Sequence, residues 1–595
     1  MKYQIKNGEI VCRERKTMKE LLKYIKPYKK EILLAVSLVF LEVIAEVTMP
    51  KLMSKIVNIY LPEKNMNKII QMGLIMILIT VISSAGGILS TWFASKVSQW
   101  FCADVKEAAY KKIMGFSAGN IDHFTTPSLI TRLTSDINTL QTIIQTFLRL
   151  VVRAPILFLG SIFFAVTINK ELTMVFVVIF PILVIALAVI IIKSIPMFSQ
   201  IQLRLDKLNG ILRESLIGAR VIRAFVREDY ENEKFQGANK EYMDISVKAN
   251  RRTGLVMPVM MFLINTAIIM ILWIGGNGVY KGSIQVGDII AFITYSFQIL
   301  FSLLLVAFLL MMTSRAKVSG TRLNEILTRE ESINSTDKSS EYTELQNGIE
   351  FEKVYFSYKK DDKESLKNIN FYIKSGESVG IIGSTGSGKT TVISLLMRYY
   401  DVSKGSIKFD GTDIREIPLE RLRGSIGLVR QQDTLLAGTI EENIRFGNEK
   451  ANFEDIKKAA GAAQAEEFIE KMPEKYQTRI GQKGAGLSGG QKQRIYIARA
   501  LIKKPSVLLL DDSSSALDMK TEAKLQNELN HLDFKCTKII VAQRISSVRE
   551  LDKIIVLEKG KIAGIGTHDE LLHSNTVYRE IYDSQIETGK GENNE

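Results

Sequence analysis

The sequence predicts a two-part, multidomain membrane protein: an all-α domain of six membrane-spanning helices with long cytoplasmic helical extensions, then an α/β P-loop domain. Three observations predict it. Long, almost uncharged apolar runs crowd the first 313 of 595 residues, whereas the chain after about Glu330 is mixed and polar. A stretch rich in Ser, Thr, Asp and Glu separates the halves, as a linker would. A complete Gly-rich phosphate-binding pattern then lies between a strand-like and a helix-like run. These features divide the chain into a membrane domain (1–330), a linker (331–346), an α/β domain (347–586) and a polar tail (587–595).

The expected spans are 31–60, 68–95, 139–167, 172–195, 254–276 and 288–313. Each meets the ~20 helical residues that a bilayer core requires. Their connections alternate. Links 61–67, 168–171 and 277–287 are short; links 96–138 and 193–253 are long and rich in Lys and Arg. Basic loops and a basic N-terminus face the cytoplasm by the positive-inside rule, which leaves the short links outside. The long loops have helical flanks, so the membrane helices are expected to continue into the cytosol. Thr126-Pro127 marks a helix start, with Pro at the first helical position. The run 218–225 is short, amphipathic and basic-edged, and reads either as a solvated loop helix or as a docking helix for an ATPase domain.

Net charge is +14. Basic residues beside a membrane account for it, and no nucleic-acid motif accompanies the charge, so nucleic acid is not an expected partner. Membrane lipids are. Cys12, Cys102 and Cys536 are scattered without metal-ligand spacing, which suggests reduced thiols rather than a disulfide framework. No cleavable signal pattern precedes the first apolar run.

The strongest chemical pattern is Gly383-Ser384-Thr385-Gly386-Ser387-Gly388-Lys389-Thr390, followed by Thr391. Residues 378–382 read as the strand before it and 391–396 as the helix after it, which is the context the motif needs. Glycines let backbone amides close around phosphate oxygens at a helix N-terminus. Lys389 is placed for the β- and γ-phosphates of ATP and the Thr390 hydroxyl for Mg²⁺. The apolar run 507–510 ends in Asp511, a Walker B carboxylate acting on Mg²⁺, with Asp512 next.

Between these lies Leu487-Ser488-Gly489-Gly490-Gln491, then Lys492-Gln493-Arg494. Here the chain resembles the ABC transporter family, over nearly its whole length and in its order of six spans before one cassette. It is similar to exporter-type half-transporters. The resemblance implies roles by position. Tyr358 would stack on adenine. Gln431 would sense the γ-phosphate and Mg²⁺. Ser515-Ala516-Leu517-Asp518 would form the D-loop against an opposing site. Because family cassettes pack head to tail, Ser488 and Gly490 would serve a nucleotide held by a second half-transporter.

Two positions depart from the family pattern. Asp512 stands where the catalytic glutamate is usual, one methylene short, and a misplacement of ~1 Å can lower a rate ~10²-fold. Gln543 stands where the switch histidine is usual; an amide can hydrogen-bond a phosphate but cannot copy an imidazole. A third, Gln482, replaces a frequent glutamate. The expectation is a degenerate-site subunit of a heterodimeric exporter of drug-like molecules, lipids or peptides in the cell membrane. A homodimer with two slow sites and a membrane-bound ATP sensor that transports nothing remain as alternatives. Within the spans, Glu42 and Glu46 lie one helical turn apart, and Arg149 and Arg153 repeat that spacing. They would either line the translocation pathway or pair between helices.

Overall fold

The computed structural model describes residues 20–330, 333, 346–358, 363–431, 433–513 and 516–591. The chain forms two compact units: Met1–Met114 with Pro127–Arg329, and Gly115–Thr126 with Glu330–Glu595.

The first unit is helical. Its elements are α1 (Lys29–Lys55), α2 (Met66–Met114), α4 (Thr126–Thr131), α5 (Ile137–Ile168), α6 (Lys170–Ile217), α7 (Ala219–Ala224), α8 (Glu228–Gly254), α9 (Val256–Tyr280) and α10 (Val286–Leu327); α3 (Ala118–Phe124) belongs to the second unit. Six helical segments of the described residues are long and apolar enough to cross a membrane. Helix α2 runs 49 residues and α6 runs 48. At 1.5 Å per residue each is about 70 Å long, more than twice the ~30 Å hydrocarbon core, so both extend well past it.

Val39, Val43 and Val47 recur every four residues on α1 and are buried, in one cluster with Leu157 of α5 and Phe292 and Tyr295 of α10. The outward faces are just as apolar: Leu33, Phe40 and Ile44 of α1 and Trp273 of α9 are exposed. A helix apolar on both faces is at home in lipid. Pro50 lies inside α1 and cannot donate to the carbonyl of Glu46 four residues back. Gln298 of α10 donates to that carbonyl instead, at 3.3 Å, and the Tyr295 hydroxyl donates to the carbonyl of Val47 at 3.1 Å. Helix α4 starts at Thr126, so Pro127 is its second residue, one place later than the sequence suggests.

The second unit has two main sheets. The antiparallel one runs β2 (Leu366–Lys374), β1 (Gly348–Phe356), β4 (Lys404–Phe409), β5 (Thr412–Asp413). The other runs β12 (Lys561–Gly566), β11 (Lys553–Glu558), β3 (Ser378–Gly383), β10 (Thr537–Val541), β9 (Val507–Asp511), β6 (Ile426–Val429). All its neighbours are parallel except β12. Every residue of β3, β9 and β10 is buried, as expected of parallel strands covered on both faces. The short pair β7 (Gly438–Thr439) and β8 (Arg479–Ile480) lies apart. Segment 115–126 packs into this unit: Ser117 caps α3, and the Tyr400 hydroxyl hydrogen-bonds the Asp122 carboxylate.

Candidate nucleotide site

Strand register brings the site together. Val541 of β10 pairs with Ile381 of β3 on one side and with Asp511 of β9 on the other, and Val429 of β6 pairs with Leu510. Four adjacent parallel strands therefore end at one edge. The P-loop follows β3, Gln543 lies two residues beyond β10, Asp512 one beyond β9, and Gln431 two beyond β6. Ligand sites of open α/β sheets form at such carboxyl ends.

The loop is closed at its back and open at its front. A Cβ at Gly383 would stand 2.1 Å from the carbonyl oxygen of Leu557, and Gly388 adopts φ +105°, with Leu366 Cδ2 2.6 Å from where its Cβ would be. Only glycine fits either place. At Gly386 nothing lies within 4 Å. The Ser387 hydroxyl is buried and makes no hydrogen bond among the described atoms. Lys389 opens the helix Lys389–Leu396 and donates to the carbonyls of Gly383 (2.7 Å) and Ser384 (2.9 Å). Burial pushes its ammonium pKa down, against the pull of Asp511 and Asp512. An orphaned hydroxyl, a half-buried ammonium and an open glycine face fit a polyphosphate.

Two carboxylates face this cradle. Burial raises the Asp511 pKa, helped by the Asp512 charge and opposed by Arg430, a hydrogen bond from Thr390, and Lys389. Burial likewise raises Asp512, against Lys389, Arg544 and Gln431. Adjacent acids held above their usual range, one bonded to a threonine hydroxyl, fit a divalent cation such as Mg²⁺. Among the described residues no group of three His, Cys, Asp or Glu could hold a metal ion, so such an ion would complete its shell with phosphate or water oxygens. When bound, it would neutralise charge on the phosphates.

Asp512 adopts φ +51°, and its Oδ2 accepts from both Gln431 Nε2 (2.9 Å) and Gln543 Nε2 (3.1 Å). Gln585, on the C-terminal helix Thr576–Gly591, spans the Gln543 loop: it donates to the Gln543 carbonyl at 2.8 Å and accepts from the Ile545 amide at 2.9 Å. Ser547, further along that loop, donates to Glu522 at 2.6 Å. Gln585 was not singled out by sequence reasoning, and no local pattern marks a residue 42 positions from its partner.

Tyr358 is half exposed, its hydroxyl 3.1 Å from Thr391 Oγ1 and its ring edge-on to Tyr400. Ser488 is the N-cap of the helix Gly489–Leu501 and forms a capping box with Gln491. A Cβ at Gly490 would lie 3.0 Å from the carbonyl oxygen of Ala516. Leu487 is partly buried and Leu517 buried. Asp518 caps the helix Met519–Asn530 through Thr521. Ser515 and the linker residues 334–345 lie outside the described residues, as does the Gln482 side chain. In the first unit, Arg153 bonds both Glu42 and Glu46 (2.8 Å to the latter), and Arg149 stands 3.8 Å from Glu42.

Residues 32–303 match the ABC transporter transmembrane region and residues 366–515 the ABC transporter family. YfiB of Bacillus subtilis (strain 168), an uncharacterized ABC transporter ATP-binding protein, is 40% identical over 96% of this chain and 99% of its own. The chain belongs to the ABC transporter family. A Mycobacterium tuberculosis (strain H37Rv) ABC transporter ATP-binding protein is 34% identical over 95% of this chain and 97% of its own. YgaD of Bacillus subtilis, provisionally named a multidrug export ATP-binding/permease protein, is 29% identical over 96% and 99%. A solved bacterial Atm1-family ABC exporter with ATP bound shares the fold, with a TM-score of 0.78 and 24% identity over 94% of this chain and 98% of that one. This ABC protein is thus a half-transporter, with a membrane domain fused to one ATP-hydrolysing cassette that uses ATP and Mg²⁺.

Proposed function

We propose that this chain is the degenerate-site half of a heterodimeric exporter, lending an intact signature (Ser488, Gly490) to its partner's catalytic site. The observation that carries the reading is the Asp512 carboxylate, which accepts from the side-chain amides of Gln431 and Gln543. A shortened acid held by two amides is poorly placed to act on an attacking water, and no imidazole is present to replace it. The elements that bind nucleotide remain: Lys389, Thr390, Asp511 and Gln431. Binding chemistry is kept and cleavage chemistry is weakened in the same site.

Dimerisation has its own support. Helix α7 buries no residue in its unit, and Ile217, Phe225 and Val226 around it are 80%, 73% and 81% exposed. An apolar tip of this kind suits a docking helix for the partner's cassette. The basic loops support a cytoplasmic position for both cassettes. Similarity to YgaD supports export of amphiphilic compounds, and Glu42, Glu46, Arg149 and Arg153 lie on the substrate pathway.

Affinity purification of the tagged chain from its native membrane tests this. A co-purifying half-transporter carrying a Walker B glutamate and a switch histidine is the expected result. Recovery of a homodimer with ordinary turnover would overturn it.

A further inference from the structure

Helices α1 and α2 run antiparallel in a fixed register. Ser83 donates to the Glu42 carbonyl at 3.2 Å, Ser90 to the Ala35 carbonyl at 3.1 Å, and the Tyr28 hydroxyl to Asp104 Oδ2 at 2.6 Å. Lys29 and Lys30 therefore lie level with Lys96, in the interval between the last two contacts. Exposure changes character at this level. On one side the exposed residues include Leu33 and Leu34 of α1 and Ile88 and Leu89 of α2; on the other, Lys26, Lys29 and Lys30 are exposed. A surface that turns from apolar to basic in this way marks the edge of the hydrocarbon layer, where lipid headgroups begin.

Across that edge α2 carries Ile88, Trp92, Lys96 and Trp100, each about one helical turn from the next. The Lys96 ammonium lies over both indoles, 4.8 Å from the Trp92 ring centre and 4.5 Å from that of Trp100. Tyr28 packs on Trp100 at 5.1 Å and ties that end of the stripe to the turn Lys26–Tyr28 ahead of α1. Ring faces hold a cation in place without cancelling its charge. Among the described residues no carboxylate pairs with Lys96, and neither indole N–H makes a hydrogen bond. Stretches 26–31 and 96–104 carry four lysines against two acids, Glu31 and Asp104, and Tyr28 already engages Asp104.

Surplus positive charge, a positioned ammonium and two indole donors suit an anion at headgroup depth. We propose that this surface binds a net-anionic glycerophospholipid, its phosphate on Lys96 and its acyl chains along Ile88 and Trp92. A zwitterionic lipid offers the same phosphate but brings an ammonium of its own into a field that is already positive. Lysines clustered beside a span favour the anionic lipid for that reason. The inference needs α1 and α2 to span a membrane and is independent of the heterodimer reading.

Trp273→Phe leaves Trp92 and Trp100 as the tryptophans of the chain, so quenching of their fluorescence by brominated acyl chains reports which lipids lie against them. The full chain with that change is placed in nanodiscs of phosphatidylcholine with a minor share of phosphatidylglycerol, the bromines on one lipid or on the other. Brominated phosphatidylglycerol should quench beyond its mole fraction. Lys96→Gln should lower the relative affinity for it about fivefold, the factor one lysine is worth at an anionic membrane surface. Lys96→Arg should keep it. Quenching in simple proportion to mole fraction overturns the proposal. So does an undiminished excess in the Lys96→Gln protein, or a loss in Lys96→Arg as large as in Lys96→Gln. Loss of the excess on adding inorganic phosphate at constant ionic strength would assign the site to a soluble anion and overturn it as well.

Discussion

At the residue scale, the decisive contact is one oxygen of Asp512 shared between Gln431 and Gln543. Asp512→Glu alone is expected to restore little hydrolysis, since Gln543 still occupies the switch position. Asp512→Glu with Gln543→His should exceed the sum of the single effects, because residues acting as a unit are non-additive. Steady-state ATPase rates of the unaltered protein, the two single variants and the double decide this; additive logarithms of rate would argue against a shared site. The raised pKa values of Asp511 and Asp512 give a second expectation. A divalent cation binds the ionised acids, and a raised pKa keeps the protonated forms into milder pH. Protons should therefore compete with Mg²⁺ at pH values above the ordinary aspartate range of ~3.9. Mg²⁺-dependent nucleotide binding should begin to weaken, as pH falls, before that range is reached, and Asp511→Asn should flatten the profile. A profile of the unaltered protein that stays flat until the ordinary aspartate range would contradict the assignment.

At the element scale, Gln585 ties the C-terminal helix to the switch loop by two hydrogen bonds. Gln585→Ala should cost the cassette about 1–2 kcal/mol, the net worth of two such bonds. Ile545, whose amide donates directly to Gln585, should lose exchange protection, while amides in the middle of β3 should not. Hydrogen exchange followed by mass spectrometry reads both. Unchanged protection at Ile545 would show that the loop is held by other contacts, such as those of Ser547 with Glu522 and Gln526. This contact illustrates what sequence could not supply. The P-loop and signature are local strings whose chemistry follows from spacing of a few residues, so they are visible in one dimension. Gln585, and Gln298 serving the carbonyl freed by Pro50, act across tens to hundreds of residues, and nothing near either one announces its partner.

At the scale of the whole molecule, the two ATP sites of the proposed pair are expected to respond differently. Without a partner, the chain should retain ATP and turn it over far below ~10 s⁻¹, the median for enzymes. In the reconstituted pair, Ser488→Arg places bulk and charge where the signature meets the partner's γ-phosphate, and should nearly abolish hydrolysis. Lys389→Ala damages a site that binds without cleaving, so its effect should be partial, with weakened ATP retention on this subunit. If Lys389→Ala silenced the complex while Ser488→Arg left ATPase and transport intact, the roles assigned to the two sites would be reversed.

The sequence by itself determined the order of parts. Hydrophobic length sets how many times a chain can cross a bilayer, and a glycine-rich turn between strand and helix makes a phosphate site wherever it occurs. Sequence also showed that Asp512 and Gln543 depart from family habit. Only the tertiary structure decided how these positions act on one another. Parallel register set β3, β10, β9 and β6 side by side, so that Asp512 meets two glutamines from different loops. It also shows Arg153 pairing with Glu42 and Glu46 across two helices, and the three residues line one open pocket. Periodicity places a side chain on a helix face. Which neighbour that face meets, and what space is left between them, depends on packing between segments distant in sequence.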